Sequence, residues 1–286
     1  MAIAWTTLTN AQVAAGAAIT TALMTALRDN PEGIAQRATG HPKIFSCAYD
    51  YQEFTSNGTW TKPSNAETGD RVLVHVVGGG GAGSRGGNGW GGGGAGGVLR
   101  EFQDIDDLPS TVSITIGAGV AGVSSNTATV GGTSSFGDSD ADDYIDNIEY
   151  TAALGGGSAS ATDGGAGGGI RIYNSDLEAI DAAGEPTTGG VGGGVSNAYS
   201  DASSSVFGGG GGGSGANVTQ GSPGGSWYGG IGGRGIDRDG SVTSIILDGT
   251  FPGGGGGGVD FDATADTVSG SGADGMVRVW CLREDT

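Results

Sequence analysis

Cysteine, lysine and histidine are almost missing from this chain, with two of each in 286 residues. Two cysteines, Cys47 and Cys281, support neither a disulfide framework nor a metal cluster. They could meet on adjacent strands, but assembly in a reducing cytosol favours two buried free thiols. The only lysines, Lys43 and Lys62, follow no glycine run, which removes the P-loop NTPases. Of the two histidines, His41 sits beside a proline and His75 alternates with valines. A Ser-His-Asp arrangement would have to use His75, and a partly buried strand residue is the simpler reading. No G-x-S-x-G elbow is present, and although acidic residues abound, nothing marks out a glycosidase pair. Twelve basic residues face 31 acidic ones, a net charge of −19. That charge repels a phosphate backbone and an anionic bilayer, so neither nucleic acid binding nor membrane insertion is expected. No apolar run is long enough for a membrane span, and no signal peptide is expected at the start.

Glycine fills the space left by these absences. There are 65 glycines, with uninterrupted runs at 78–81, 91–94, 208–213 and 253–258. Ordering a six-glycine run costs about 6–12 kcal/mol of backbone entropy, so such runs are disordered unless something holds them. Strands hold these. Residues 72–77 enter the first run directly, and 275–280 close the chain after the last. A run anchored at both ends can form the threefold polyglycine II helix, which rises about 3.1 Å per residue and makes no internal hydrogen bonds. Its amides must bond to neighbours of the same kind, which only glycine lets approach closely. The reading is a packed bundle of such helices, with Gly79, Gly93, Gly210, Gly211, Gly255 and Gly256 as structural positions.

The chain divides unevenly. Within residues 1–43, the alanine-rich stretch 10–28 places Ile19, Leu23 and Leu27 on one stripe, which predicts a short helix ending at Asp29-Asn30-Pro31. So thin a stripe suits packing on sister chains or a larger assembly. From residue 44 the pattern turns to β. Residues 44–54, 71–77, 98–102, 111–116 and 276–282 read as strands, with Asn57-Gly58 as a turn. The expected fold is therefore mostly β: an antiparallel sandwich over 44–286, its glycine segments projecting at one end, with 154–267 as a loop-rich elaboration.

Two chemical motifs stand out against this background. Residues 78–83 satisfy G-x-G-x-x-G after a strand, with Glu101 at about the spacing of a ribose-binding acid, but no helix follows to aim amides at a pyrophosphate. Asp237-Arg238-Asp239-Gly240-Ser241, with Asp248 further on, is calcium-loop-like, yet its glycine stands fourth instead of sixth. Asp104 to Asp107 and Asp138 to Asp143 are further oxygen clusters. Solvated acidic loops are the default, no cofactor is expected, and calcium stays open.

Phe54-Thr55-Ser56-Asn57-Gly58-Thr59-Trp60-Thr61-Lys62-Pro63, followed by the valine strand into the first glycine run, resembles the opening of the glycine-rich domain of bacteriophage tail fibres and tail-tip adhesins. In order after it come Ser113-Ile114-Thr115-Ile116-Gly117-Ala118-Gly119, Gly131-Gly132-Thr133-Ser134-Ser135-Phe136-Gly137 and Gly272-Ala273-Asp274-Gly275-Met276-Val277-Arg278-Val279, which are similar to that family's later strands. Asn30-Pro31-Glu32-Gly33-Ile34-Ala35-Gln36 and Gly40-His41-Pro42-Lys43-Ile44 resemble a tail-attachment leader. The resemblance implies a virion protein assembled in the host cytoplasm. It implies attachment to other tail proteins through residues 1–43 and contact with a bacterial receptor, glycan or outer-membrane protein, through loops between the glycine helices.

Trp90, Trp227 and Tyr228 lie among glycines where no ordinary core position is evident, and Tyr199 and Phe207 flank the 208–213 run. Aromatic faces on a rigid scaffold suit sugars or protein loops, so these five are the candidate receptor contacts. Trp60 and Trp280 lie in strands and read as core. The expectation is a non-enzymatic, trimeric tail fibre or tail-tip protein that binds the host surface. A purely structural tail component is the nearer alternative. An ice- or surface-structuring protein is the more distant one, because the runs are irregularly spaced.

Overall fold

The structure is a computed structural model. It describes residues 48–86, 90–125, 128–137, 151–153, 165–168, 170–173, 179–182, 201–216, 219–236, 247–260 and 268–283. Compact units fall at Met1–Cys47 with Asp285–Thr286 and at Ala48–Glu284, and the described residues belong to the second. The expected helix at 10–28 and the leader that follows lie outside the described residues.

The strands in chain order are β1 (Ala48–Phe54), β2 (Gly58–Thr61), β3 (Arg71–Val77), β4 (Arg85–Gly86), β5 (Gly97–Phe102), β6 (Thr111–Thr115), β7 (Ser134–Phe136), β8 (Thr151–Ala153), β9 (Ile170–Tyr173), β10 (Ala179–Ala182), β11 (Gly215–Ala216), β12 (Thr219–Gln220), β13 (Val259–Asp260) and β14 (Met276–Leu282). Two antiparallel sheets carry most of them, one in the order β1-β14-β3-β5 and the other β10-β9-β8-β7-β6-β2. Alternation decides what faces inward. Val72, Val74 and Val76 of β3 and Val277, Val279 and Cys281 of β14 turn the same way, toward Trp60, Val112, Ile114 and Phe136 of the opposite sheet. Phe136 sits with its ring centre 5.8 Å from both Trp60 and Phe102, where the two layers meet. Cys281 is a free thiol buried in this core, and burial, with Asp50 and Asp70 nearby, pushes its pKa up to about 12. Cys47 lies outside the described residues.

The chain turns at Asn57-Gly58, as expected, and the turn links β1 and β2 of different sheets. The segment is a corner between layers, fixed by the Ile116 amide donating to Asn57 Oδ1 at 2.8 Å. One expectation changes: Trp280 is not core. It alternates with Val279 and Cys281, so it points to the outer face, where its ring lies 5.5 Å from Tyr51.

The glycine segments leave the sandwich at one end, where Val77, Gly97 and Met276 stand side by side. The segment 253–258 forms the axis of the bundle. Its amides point in three directions in turn: Gly254 and Gly257 to Thr250 and Leu247, Gly255 and Gly258 to Gly210 and Gly213, and Gly256 and Val259 to Gly81 and Ser84, at 2.8–3.1 Å. Its carbonyls accept in three further directions. Ala95 and Gly92 donate to Gly253 and Gly256, Ala273 and Gly270 to Gly254 and Gly257, and Gly233 and Ile236 to Gly255 and Gly258. Each partner recurs every third residue, which is the period of polyglycine II. Six neighbouring segments therefore surround the axis, and no residue of the run has a free side for a side chain. A methyl on Gly255 or Gly256 would overlap the carbonyl of Gly92 or Gly270.

The other structural glycines occupy the same lattice. Gly79 donates to Gly132, Gly93 accepts from Gly81, Gly210 donates to Gly230, and Gly211 donates to Ser203 while accepting from Gly224. Side chains close the lattice at its rim, where no further backbone is available. Asp274 accepts from the Gly119 amide at 2.7 Å, Asp201 from Ser222 at 2.8 Å, and Ser204 Oγ from Gly225 at 3.0 Å. At the junction with the sandwich, Val77, Ala95 and Met276 make a small apolar plug. Gly253, at φ +74, turns beneath it.

Neighbouring glycines should consequently differ sharply in tolerance. A methyl on Gly210 would overlap the Gly224 carbonyl, whereas one on Gly225 meets only Ser204 Oγ at 3.7 Å. We expect Gly210→Ala to lower stability by about 3 kcal/mol or more. Gly225→Ala should stay within about 0.5 kcal/mol of the parent. Thermal or denaturant unfolding of the two variants checks this, and equal effects would contradict the packed lattice.

Candidate functional site

Two stretches of chain, 201–208 and 225–229, meet beside the outer face of the β1-β14-β3-β5 sheet. Small hydroxyl residues bind them together. Ser205 and Ser226 form a parallel bridge, and both hydroxyls donate to the Gly208 carbonyl, Ser226 at 2.6 Å. Ser226 Oγ also accepts from the Gly229 amide at 2.8 Å, and the Tyr228 amide donates to Val206 at 3.0 Å. These bonds hold Phe207 on one stretch against Tyr228 on the other. Their rings stack 5.5 Å apart with planes 14° from parallel.

The sheet supplies the floor. His75 is the residue of β3 that faces outward between Val74 and Val76. Its Nε2 donates to the Phe207 carbonyl at 2.9 Å, and its ring meets Phe207 and Tyr228 edge-on at 6.4 and 6.3 Å. Across the strands it faces Leu99 of β5 and Arg278 of β14, the latter held 2.7 Å from Glu53. Burial, chiefly, lowers its pKa against the opposing pull of the bond to the Phe207 carbonyl, and the Arg278 charge adds to the lowering, so the net direction favours the neutral ring.

What this floor raises is an exposed aromatic pair. Trp227 is 85% exposed and Tyr228 57%. Tyr228 has one face on Phe207 and its amide on Val206, while Trp227 projects from between the bonded residues Ser226 and Tyr228, so both offer ring surface. The pair lies at the sandwich-proximal end of the bundle, since a methyl on Gly97, the first residue of β5, would overlap the Phe207 carbonyl.

Of the five expected contact residues, Trp227, Tyr228 and Phe207 come together, with Phe207 as the half-buried support. Trp90 is different. It is only 4% exposed, its carbonyl accepting from the Ser84 amide at 2.8 Å and its amide donating to Ser84 Oγ at 3.1 Å, so it offers no ring to a ligand. It marks a place where the bundle has room for a large side chain. Tyr199 lies outside the described residues. His75, read as a strand histidine, also holds the aromatic loop, a role that no local pattern announces.

The acidic clusters serve the backbone where they are described. Asp104 Oδ1 accepts from the amides of Gly69 and Asp106, capping a short 3-10 turn at Ile105–Asp107, and those bonds hold its pKa below the usual range. Asp248 accepts from the Ser271 amide at 2.7 Å. Among the described residues, no three metal-ligating side chains gather, and no helix is long and apolar enough to cross a membrane. Asp237 to Gly240 and Asp138 to Asp143 lie outside the described residues.

The model of a family described as a glycine-rich domain matches residues 53–281. No curated protein matches the chain.

The neutral state of His75 gives the fold a pH dependence of definite sign. Its folded pKa lies below the unfolded value near 6.5, so above about pH 6.5 both states are neutral and nothing changes. Below that the unfolded chain takes up the proton first, and stability falls. We expect the melting temperature to decline as pH drops through about 6 to 5, and His75→Gln, which keeps a donor for Phe207, to flatten that decline. Melting curves across the range check it, and an identical slope in both proteins would contradict the assignment.

Proposed function

The chain belongs to the glycine-rich domain family, and from that membership we propose that it is a non-enzymatic tail fibre or tail-tip protein of a bacteriophage that binds the bacterial surface. The phage assignment draws on the ordered strand motifs over 54–63, 113–119, 131–137 and 272–279 and on the leader-like residues 30–44. In this reading residues 1–43 attach the chain to other tail proteins, and three copies assemble as one fibre.

One observation carries the binding role: Trp227 and Tyr228 are exposed between Ser226 and Gly229, with the Ser226 hydroxyl, the Tyr228 amide and the Gly229 amide all hydrogen-bonded. Exposed tryptophan normally costs solubility, and here it is offset by a net charge of −19 elsewhere. A flat ring with few rotamers to order is well suited to stacking on a sugar or gripping a loop. The glycine lattice adds preorganisation, because the hydrogen-bonded backbone on either side of the pair has less entropy to lose on binding.

The purified chain should bind host cells and block phage adsorption. Trp227→Ala should reduce that binding by roughly tenfold or more while leaving the melting temperature nearly unchanged, since its ring is 85% exposed. Cell binding and adsorption assays measure it. If the parent chain neither binds nor blocks, a purely structural place in the tail is the better reading.

A further inference from the structure

Segment 229–236 is a threefold helix at the outside of the bundle, and each of its three sides has a distinct occupant. Methyls on Gly229, Gly232 and Gly235 would overlap the carbonyls of Gly208, Gly211 and Ser214, so that side is closed by segment 208–214. Methyls on Gly230 and Gly233 would overlap Thr250 and Leu247, so the second side is closed by segment 247–250. The third side holds Tyr228, Ile231 and Arg234, all exposed. The sequence has the same rhythm, Tyr228-Gly-Gly-Ile231-Gly-Gly-Arg234-Gly.

Successive side chains on that edge stand about 9 Å apart, from three residues at about 3.1 Å each. Tyr228 begins the row, with Trp227 next to it in the chain, Ile231, 50% exposed, continues it, and Arg234 ends it. The Ile231 backbone is pinned on both sides, its amide donating to Thr250 Oγ1 at 2.6 Å and its carbonyl accepting from the Thr250 amide at 2.8 Å. Arg71, Arg278 and Arg283 are paired with Glu101, Glu53 and Asp70, while Arg234 has no ion pair among the described residues.

We propose that this edge is an extended binding ridge for a linear, anionic bacterial-surface polysaccharide. Resting on the surface-binding role above, the ridge seats one sugar ring on Trp227 and Tyr228, runs the apolar face of the chain over Ile231, and pairs a carboxylate or phosphate of the glycan with the Arg234 guanidinium. An anionic partner is selected locally, by one exposed fork of donors with no ion pair among the described residues, on a protein whose total charge repels anions in general. Weakly anchored polyanions are thereby rejected, and only a chain long enough to span from the aromatic pair to Arg234 gains all three contacts.

The test uses surface polysaccharide from a bacterium that the full chain binds, prepared in native, carboxyl-reduced and dephosphorylated forms. Arg234→Gln should weaken binding to the native form by about tenfold and abolish its salt dependence, with an unchanged melting temperature because the side chain is exposed. Whichever treatment removes the recognised anion should bring parent and variant to the same affinity, and so identify carboxylate or phosphate. If Trp227→Ala loses binding while Arg234→Gln matches the parent on every form, the ridge is overturned and the aromatic site stands. If protease treatment of the cells, not removal of polysaccharide, abolishes binding, the partner is a protein and the ridge is overturned. If Trp227→Ala binds like the parent, or the chain binds no bacterium, the surface-binding role itself fails.

Discussion

Every amide and carbonyl of a threefold glycine helix points sideways, so such a helix is stable only among others like it. Segment 253–258 meets that requirement with six neighbours and a complete set of directional bonds. An α-helix satisfies its backbone internally and a sheet satisfies it in one plane. Here satisfaction is distributed in two dimensions around an axis, and the condition for it is that side chains be absent. Hydrophobic burial has little part in this half of the molecule. Net stabilisation per backbone bond is only about 0.5–1.5 kcal/mol, and many bonds formed together are needed to offset the entropy of so much glycine.

That condition explains why the lattice is grafted onto a sandwich with an ordinary apolar core. Loose glycine segments would rarely find their alignment, but β3, β5 and β14 deliver three of them side by side at Val77, Gly97 and Met276. The plug of Val77, Ala95 and Met276 aligns the two systems, one held by burial and the other by backbone bonds. The rim shows the same economy in reverse. Where the lattice stops, Asp201, Asp274 and Ser204 substitute single side-chain oxygens for a missing neighbour.

The sandwich was largely readable because period-two alternation survives in β3, β6 and β14. The bundle was readable from the glycine runs and their flanking strands. So was the turn at Asn57-Gly58, whose flanking strands core formation sends to different layers. Positions where two physical demands compete were not readable. Trp280 looks apolar enough for the core, yet alternation with Val279 and Cys281 puts it outside. Trp90 among glycines suggested exposure, and only the three-dimensional lattice reveals the space that receives it. The ridge was within reach, since x-Gly-Gly repeated from Tyr228 to Arg234 puts x on one edge of a threefold helix. It escapes a search tuned to periods of 2 and 3.6.

The position of β14 governs how this protein can be made. The last strand lies between β1, the first, and β3, while the axis of the bundle at 253–258 bonds to segments as distant as 78–84. During synthesis β1 has no partner within its sheet until β14 has left the ribosome, and the earlier glycine segments have no axis to gather around. Completion of both systems therefore waits for residues 253–282 and proceeds through long-range pairings, the slow kind. A chain cut before residue 253 keeps the β3-β5 pair and the strands of the second sheet but has neither the axis of the bundle nor the strand that joins β1 to β3, so closure of the whole fold rests on its most C-terminal described segments.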